Sequence, residues 1–112
     1  MASAVESIGI LQFALDATVH QQQVIANNIS NLNTPNFQAQ KVSFQSSLAN
    51  ALSQGGTVSD VTSAEGLAPG VNGNNVSLPV ETTLLMKNNL ENQTLDNALT
   101  GQFTIMSDAI LA

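Results

Sequence analysis

His20 is the chain's only histidine, and beside it the groups able to move a proton are eight carboxylates: Glu6, Asp16, Asp60, Glu65, Glu81, Glu91, Asp96 and Asp108. General acid–base chemistry needs two such groups held at one place. The acids are scattered; Glu91 and Asp96, five residues apart, do not share a helical face, and no pair emerges. A histidine-activated nucleophile needs an identifiable serine or cysteine partner, and His20 has none. Without cysteine there is no disulfide framework and no thiolate chemistry. Zinc would have to rely on His20 and carboxylates, a poor donor set. "GLAPG" (66–70) and "NGNN" (72–75) are turn formers rather than phosphate loops, because no Lys-Ser/Thr follows them. No catalytic residue, cofactor or metal is expected, and an enzyme is the most distant reading.

Binding chemistry is equally constrained. The net charge is −6 and the only basic residues are Lys41 and Lys87, which argues against nucleic acid, since phosphates require a cationic face. The same charge gives no attraction to anionic lipid headgroups. Phe13, Phe37, Phe44 and Phe103 have no interleaved basic residues and read as packing groups rather than base-stacking platforms. Three Asn-X-Ser/Thr triplets begin at Asn28, Asn75 and Asn92. Chance supplies about two in a chain this rich in Asn, Ser and Thr, so they carry no glycosylation signal. The start "MASAVESIGILQF" lacks a basic signal-peptide region, and no run reaches the roughly 18 apolar residues of a membrane span. Neither direct membrane insertion nor a cleaved signal peptide is expected.

The unusual feature is the kind of polarity. Asn, Gln, Ser and Thr make up 43 of the 112 residues, while charged residues are 9%. A typical soluble domain has about a quarter of its residues charged. Neutral amides enter a tight interface without the desolvation penalty of a charge. The stretch "QQQVIANNISNLNTPNF" (21–37) concentrates them, with five asparagines and no charge.

The elements that must position these residues are two long helices around a weakly patterned centre, in a single domain (1–34, N-terminal helix; 35–77, turn, short helix and central loop; 78–112, C-terminal helix). In the first, heptad spacing picks out Ile8, Leu11, Leu15, Thr18, Gln22, Ile25, Ile29 and Leu32, a coiled-coil-like seam. Ser3 and Glu6 have capping-box spacing, and Asn33-Thr34-Pro35 ends the helix because the residue before proline is driven out of the helical region. The second starts near Pro79, with Ser77 as cap and Glu81 suited to the positive helix start. Its stripe is Leu95, Leu99, Phe103, Met106 and Ile110. Phe44, Leu48 and Leu52 predict a short amphipathic helix over 41–52, and residues 53–76 read as an irregular Gly/Ser/Asn-rich loop. The expected fold is therefore mainly α, a helical hairpin with a short middle helix and an irregular central loop. A bare two-helix hairpin leaves much apolar surface wet, and ordering entropy of order 1.5 kcal/mol per residue nearly cancels its burial. Stability is expected to come from other chains.

The segment "LDATVHQQQVIANNISNLNTPNFQAQKVSFQSSLANAL" (15–52) resembles the amino-terminal signature of the bacterial flagellar axial proteins, the rod and hook family, with "VIANNISNLNTPNF" as its core. "VNGNNVSLPVETTLLMKNNLENQTLDNALTGQFTIMSDAI" (71–110) is similar to the proximal-rod branch, and the two blocks together span most of the chain. Distal-rod and hook proteins share the first block but carry large outer domains that this length cannot hold; FlgC-type subunits are the nearest competitor. The family usually has Pro-Gly-Tyr where this chain has Pro35-Asn36-Phe37, and asparagine tolerates the left-handed conformation that glycine supplies. Basic residues common in the family are replaced here at His20-Gln21 and Ser107-Asp108.

The resemblance implies a structural part of the flagellar basal body, exported unfolded through the flagellar type III apparatus and assembled as a homo-oligomeric helical tube. Implied neighbours are further copies, the other rod proteins (FlgC, FlgF, FlgG) and FliE, the adaptor between the rod and the MS ring. It implies an assembly seam of Ile8, Leu11, Leu15, Ile25, Ile29, Leu32, Leu95, Leu99, Phe103, Met106 and Ile110. The rod-signature motif is Val24, Ile25, Ala26, Asn27, Asn28, Ile29, Asn31, Asn33, Thr34, Pro35 and Phe37. Within it, Asn27, Asn28, Asn31 and Asn33 would tie the helix end and its turn to backbone groups. The reading from another class is a soluble helical adaptor or export chaperone that binds a partner helix.

Overall fold

The computed structural model describes residues 4–43, 49, 62–64 and 66–111. Two long helices dominate: α1 (Ala4–Ser30) and α2 (Leu78–Leu111). They lie antiparallel, as the pairing of Thr18 with Asn92 and of Asn28 with Glu81 requires. Two three-residue strands, β1 (Gln40–Val42) and β2 (Thr62–Ala64), form an antiparallel ladder that pairs Gln40 with Ala64 and Val42 with Thr62. The molecule is long and thin, 64 × 26 × 16 Å. No helix among the described residues is long and apolar enough to cross a membrane.

The start of α2 is where the turn chemistry places it, and the end of α1 is not. Ser77 caps α2: its carbonyl accepts the Glu81 N–H at 2.9 Å, and its hydroxyl oxygen faces the Val80 N–H at 3.4 Å. α1 stops four residues earlier than 34, at Ser30, and passes through turns in which Asn31, Leu32 and Thr34 donate to carbonyls three or four residues back. Asn36 takes φ 61°, the left-handed conformation expected of it.

The core is thin and lies along one face of α1. Ile8, Ala14, Ala17 and Ile25 are buried, joined by Ala39 and Val42 from the chain that follows. This contact face runs Ala14, Ala17/Thr18, Gln21, Ile25 and Asn28, displaced from the heptad frame; Gln22, expected in the seam, is exposed. The reason is steric. Alanines let the helices approach closely, and Leu11, Leu15, Ile29 and Leu32 are left half-buried at the flank.

The centre differs from expectation. Lys41 and Val42, read as the start of a helix, lie in β1, where they pair with Ser63 and Thr62 of β2 beside Gln40, whose backbone groups are both bonded to the Asn28 side chain. Ala49 is helical, and the rest of that expected helix, residues 44–48 and 50–52, lies outside the described residues. The expected loop over 53–76 contains β2 at 62–64 and an ordered turn at 70–77; residues 53–61 and 65 lie outside the described set.

Candidate functional site

The polar residues converge where α1 ends, β1 begins and α2 starts. Asn28, with no exposed surface, is the centre. Its Nδ2 donates to the Gln40 carbonyl at 2.7 Å while its Oδ1 accepts the Gln40 N–H at 3.0 Å. The side-chain amide thus replaces a neighbouring peptide unit and holds the backbone of β1 against the helix. The same Nδ2 donates to Glu81 Oε2 at 3.2 Å, and Glu81 too is fully buried. Burial of such groups costs least when they are bonded; the arrangement satisfies both ends of the Asn28 amide and one of the two Glu81 oxygens, Oε2, while Oε1 has no donor.

A second pair of asparagines completes the junction from the loop before α2. Asn75 Oδ1 accepts the Ala39 N–H at 2.6 Å, and its Nδ2 donates to the Leu67 carbonyl at 3.1 Å. Asn74 Nδ2 donates to the carbonyls of Asn31 and Thr34, at 2.8 and 2.7 Å. These carbonyls follow the end of α1 and each accepts one turn N–H, from Thr34 and Phe37; Asn74 adds a second donor to both and so caps that end from forty or more residues away in sequence. Asn74 Oδ1 accepts the Val76 N–H at 2.8 Å, and Asn72 Oδ1 accepts the Asn74 N–H at 3.1 Å, two local Asx turns. The backbone is stitched as well: Asn36 N–H to Asn72 carbonyl at 3.0 Å and Asn75 N–H to Phe37 carbonyl at 3.2 Å. Gly73, φ +80°, packs so tightly on Asn36 that a Cβ there would overlap the Asn36 amide.

The signature residues separate by role. Asn28 joins elements; Asn31 Nδ2 bonds locally to the Asn27 carbonyl at 2.8 Å, and Asn31 Oδ1 accepts the Thr34 hydroxyl at 3.1 Å. Asn33, Thr34 and Pro35 are exposed, Val24 and Phe37 are half-buried and Ala26 is exposed. Of the residues named for the seam, Ile8 and Ile25 are buried. Leu11, Leu15, Ile29, Leu32, Leu95, Leu99 and Met106 are half-buried, and Phe103 and Ile110 are exposed. The sequence reading missed Asn72, Asn74 and Asn75, taken only as turn formers, and took Glu81 only as a helix-start acid. A repeated Asn-Asn pair, 27–28 and 74–75, was the one available signal. His20 is half-buried on α1, and no group of three His, Cys, Asp or Glu able to hold a metal exists among the described residues.

The inter-helix surface continues polar along α2. Asn92 Nδ2 donates to Thr18 Oγ at 2.8 Å, and Thr18 donates to the Leu15 carbonyl at 2.7 Å. Among the described residues, four buried oxygens lack a hydrogen-bond donor: Gln21 Oε1, Glu81 Oε1, Asn88 Oδ1 and Glu91 Oε2. Large apolar side chains are nevertheless left exposed at several points around α2, most densely over its last turns. Met86, Leu90, Phe103, Ile105, Ile110 and Leu111 are exposed, from 49% for Phe103 to 81% for Leu111. Thr82, Thr83, Thr94 and Thr104 donate their hydroxyls to carbonyls four residues back at 2.8–3.0 Å, so these groups ask nothing of a partner. Between Glu91 and Asp108 the helix carries a single charge, Asp96. Such a surface suits protein contact rather than chemistry.

Comparison with known proteins agrees with this geometry. A family model described as flagella basal body rod protein matches residues 10–38, the stretch that contains Asn28 and the turn at Asn36. The flagellar basal body rod protein FlgB of Bacillus subtilis (strain 168) is 32% identical over 115 residues, covering 89% of this chain and 89% of that protein. FlgB of Aeromonas hydrophila is 30% identical over 106 residues, covering 80% of each. FlgB of Yersinia enterocolitica is 29% identical, covering 91% of this chain and 93% of its own length.

Proposed function

This chain belongs to the FlgB family of flagellar basal body rod proteins, structural components of the rod rather than enzymes, and from that premise we propose how it assembles. Copies pack through the outward side of α2 and the flank of α1 into a helical tube, the proximal rod, which surrounds the export channel and transmits motor torque. The observation that carries this reading is the set of large apolar side chains left exposed on the sparsely charged α2, most densely over its last turns, on a hairpin only 16 Å thick. Burial of exposed apolar side chains contributes about 1.5–3 kcal/mol each, which is the stability a thin hairpin lacks on its own.

In the assembled state the seam comprises Ile8, Leu11, Leu15, Ile25, Ile29, Leu32, Leu95, Leu99, Phe103, Met106 and Ile110. Ile8 and Ile25 act within each chain; the half-buried and exposed members act between chains. The rod-signature motif of Val24 to Phe37 sets the angle at which each hairpin meets the next. Neighbours in the basal body are other rod proteins of the FlgC, FlgF and FlgG types and the adaptor FliE. The chain reaches the periplasmic space unfolded, through the flagellar type III export apparatus and without a cleaved signal peptide. Low charge and a modest core make it easy to keep unfolded for export.

The test is Leu90→Asp combined with Phe103→Asp, both at exposed positions, in cells whose own copy is deleted. The doubly substituted chain is expected to be synthesised and exported but to leave basal bodies without a rod. Rods of normal number and length would overturn the reading.

A further inference from the structure

Both basic residues of this acidic chain line one cavity. It measures about 520 Å³ and lies between α1, β1 and α2, with Ile25, Val42 and Leu84 among its apolar walls and Lys41 and Lys87 at its rim. Lys41 is exposed, and Lys87 reaches Glu91 only at 4.0 Å with 69% of its side chain exposed, an ion pair of little strength. Two of the buried oxygens without a donor, Gln21 Oε1 and Glu91 Oε2, belong to residues of the same cavity. An occupant matching this lining brings apolar bulk, a hydroxyl or amide donor and a carboxylate.

One exposed surface of the same molecule has that composition. Thr104, Ser107, Asp108 and Leu111, at i, i+3, i+4 and i+7, share the outward face of the last two turns of α2, and all four are exposed. Exposed Ile105 and Ile110 flank them. Of the other exposed acids among the described residues, Asp96 has Asn92, Gln93 and Thr100 at helical spacing, and Asp16 has Val19 as its one exposed large apolar neighbour. Asp108 lies about 30 Å beyond Lys87 along the same helix at 1.5 Å per residue, so the patch cannot reach the cavity of its own chain.

Building on the assembly reading above, we infer that the distal face of α2 of one copy, centred on Asp108, docks in the Lys41/Lys87 cavity of a second copy. The contact is heterologous: each copy uses two different surfaces, so it repeats without closing unless the rotation happens to form a ring. Apolar side chains provide the affinity, and the lysine–carboxylate pairing sets direction and register. Ser107 supplies the donor that the cavity's oxygens lack.

The test is concentration-dependent self-association of the purified full-length chain, followed by sedimentation velocity, for the unmodified protein, Asp108→Lys, Lys87→Glu, the two reversals combined, and Asp96→Lys as control. Asp108→Lys is expected to weaken association at least tenfold, although it brings the net charge closer to neutrality and on bulk electrostatics would favour it. Lys87→Glu is expected to weaken association similarly, the combined reversal to recover most of the loss, and Asp96→Lys to change it less than twofold. Association that persists unchanged in Asp108→Lys, or a combined variant no better than either single one, would overturn the docking while leaving self-assembly intact. A chain that stays monomeric in every form would overturn both.

Discussion

Asn28 and Glu81 are 53 positions apart in sequence, yet Asn28 Nδ2 lies 3.2 Å from Glu81 Oε2 with both side chains sealed from solvent. The amide is the hinge pin of the molecule: the same nitrogen and its companion oxygen hold both backbone groups of Gln40. The signature asparagine therefore does its work inside one chain, joining three elements.

Asn28→Asp puts two carboxyl groups in contact and turns an oxygen toward the Gln40 carbonyl. A loss of about 3 kcal/mol or more is expected, because buried acceptors then face one another without donors. Glu81→Gln in the same chain returns an N–H to the pair and should recover part of the loss. A double-mutant cycle on urea midpoints, read by far-ultraviolet circular dichroism, measures this; additive single effects would sink the coupling.

Asn74→Ala should cost about 1–2 kcal/mol, since the Asn31 and Thr34 carbonyls each lose one of two donors and the Val76 N–H loses its acceptor. Amide exchange should quicken at the α2 start and at Asn36, while the middle of α1 and α2 near Thr18 and Asn92 changes little. Uniform quickening along both helices would show that the junction is not a separate unit.

Two glycines should respond in opposite senses. Gly73→Ala places a Cβ in the Asn36 amide at φ +80° and should destabilise by about 2 kcal/mol or more. Around Gly101 nothing lies within 4 Å, so Gly101→Ala should stabilise the free chain by up to about 1 kcal/mol, as alanine does in a helix. Thermal unfolding of the two variants decides the signs. If neighbouring helices close on the outer side of α2, Gly101→Ala will also lower rod number in complemented cells.

Ile25 and Leu90 separate folding from assembly. Ile25 is 3% exposed, so Ile25→Asp buries a carboxyl among apolar groups and should remove most helicity from the isolated chain. Leu90 is 65% exposed, and Leu90→Asp should leave the circular dichroism spectrum unchanged. Equal helicity in the two variants would mean that the α1–α2 contact is not what holds the hairpin.

The two long helices, the start of α2 and the family were legible in the amino-acid sequence because each rests on local signals. Apolar spacing marks a helix, Ser77 caps the second, and the run from Val24 to Phe37 is a linear motif; α1, by contrast, ends at Ser30, ahead of Pro35. What only tertiary structure decided was which face of α1 turns inward and what the asparagines bind. Heptad spacing found Ile8, Thr18 and Ile25, but Ala14, Ala17 and Asn28 line the contact where it pointed to Leu11, Leu15 and Ile29, since close approach rewards small side chains and bonded polar groups as well as bulk. β1 could not be read from sequence either. It is three residues long, and its extended backbone is held by Asn28 and Asn75 on one side and by the ladder with β2 on the other, all contributed from elsewhere in the chain. Partners of that kind are set by where two turns meet in space, and no spacing along one strand of sequence encodes it.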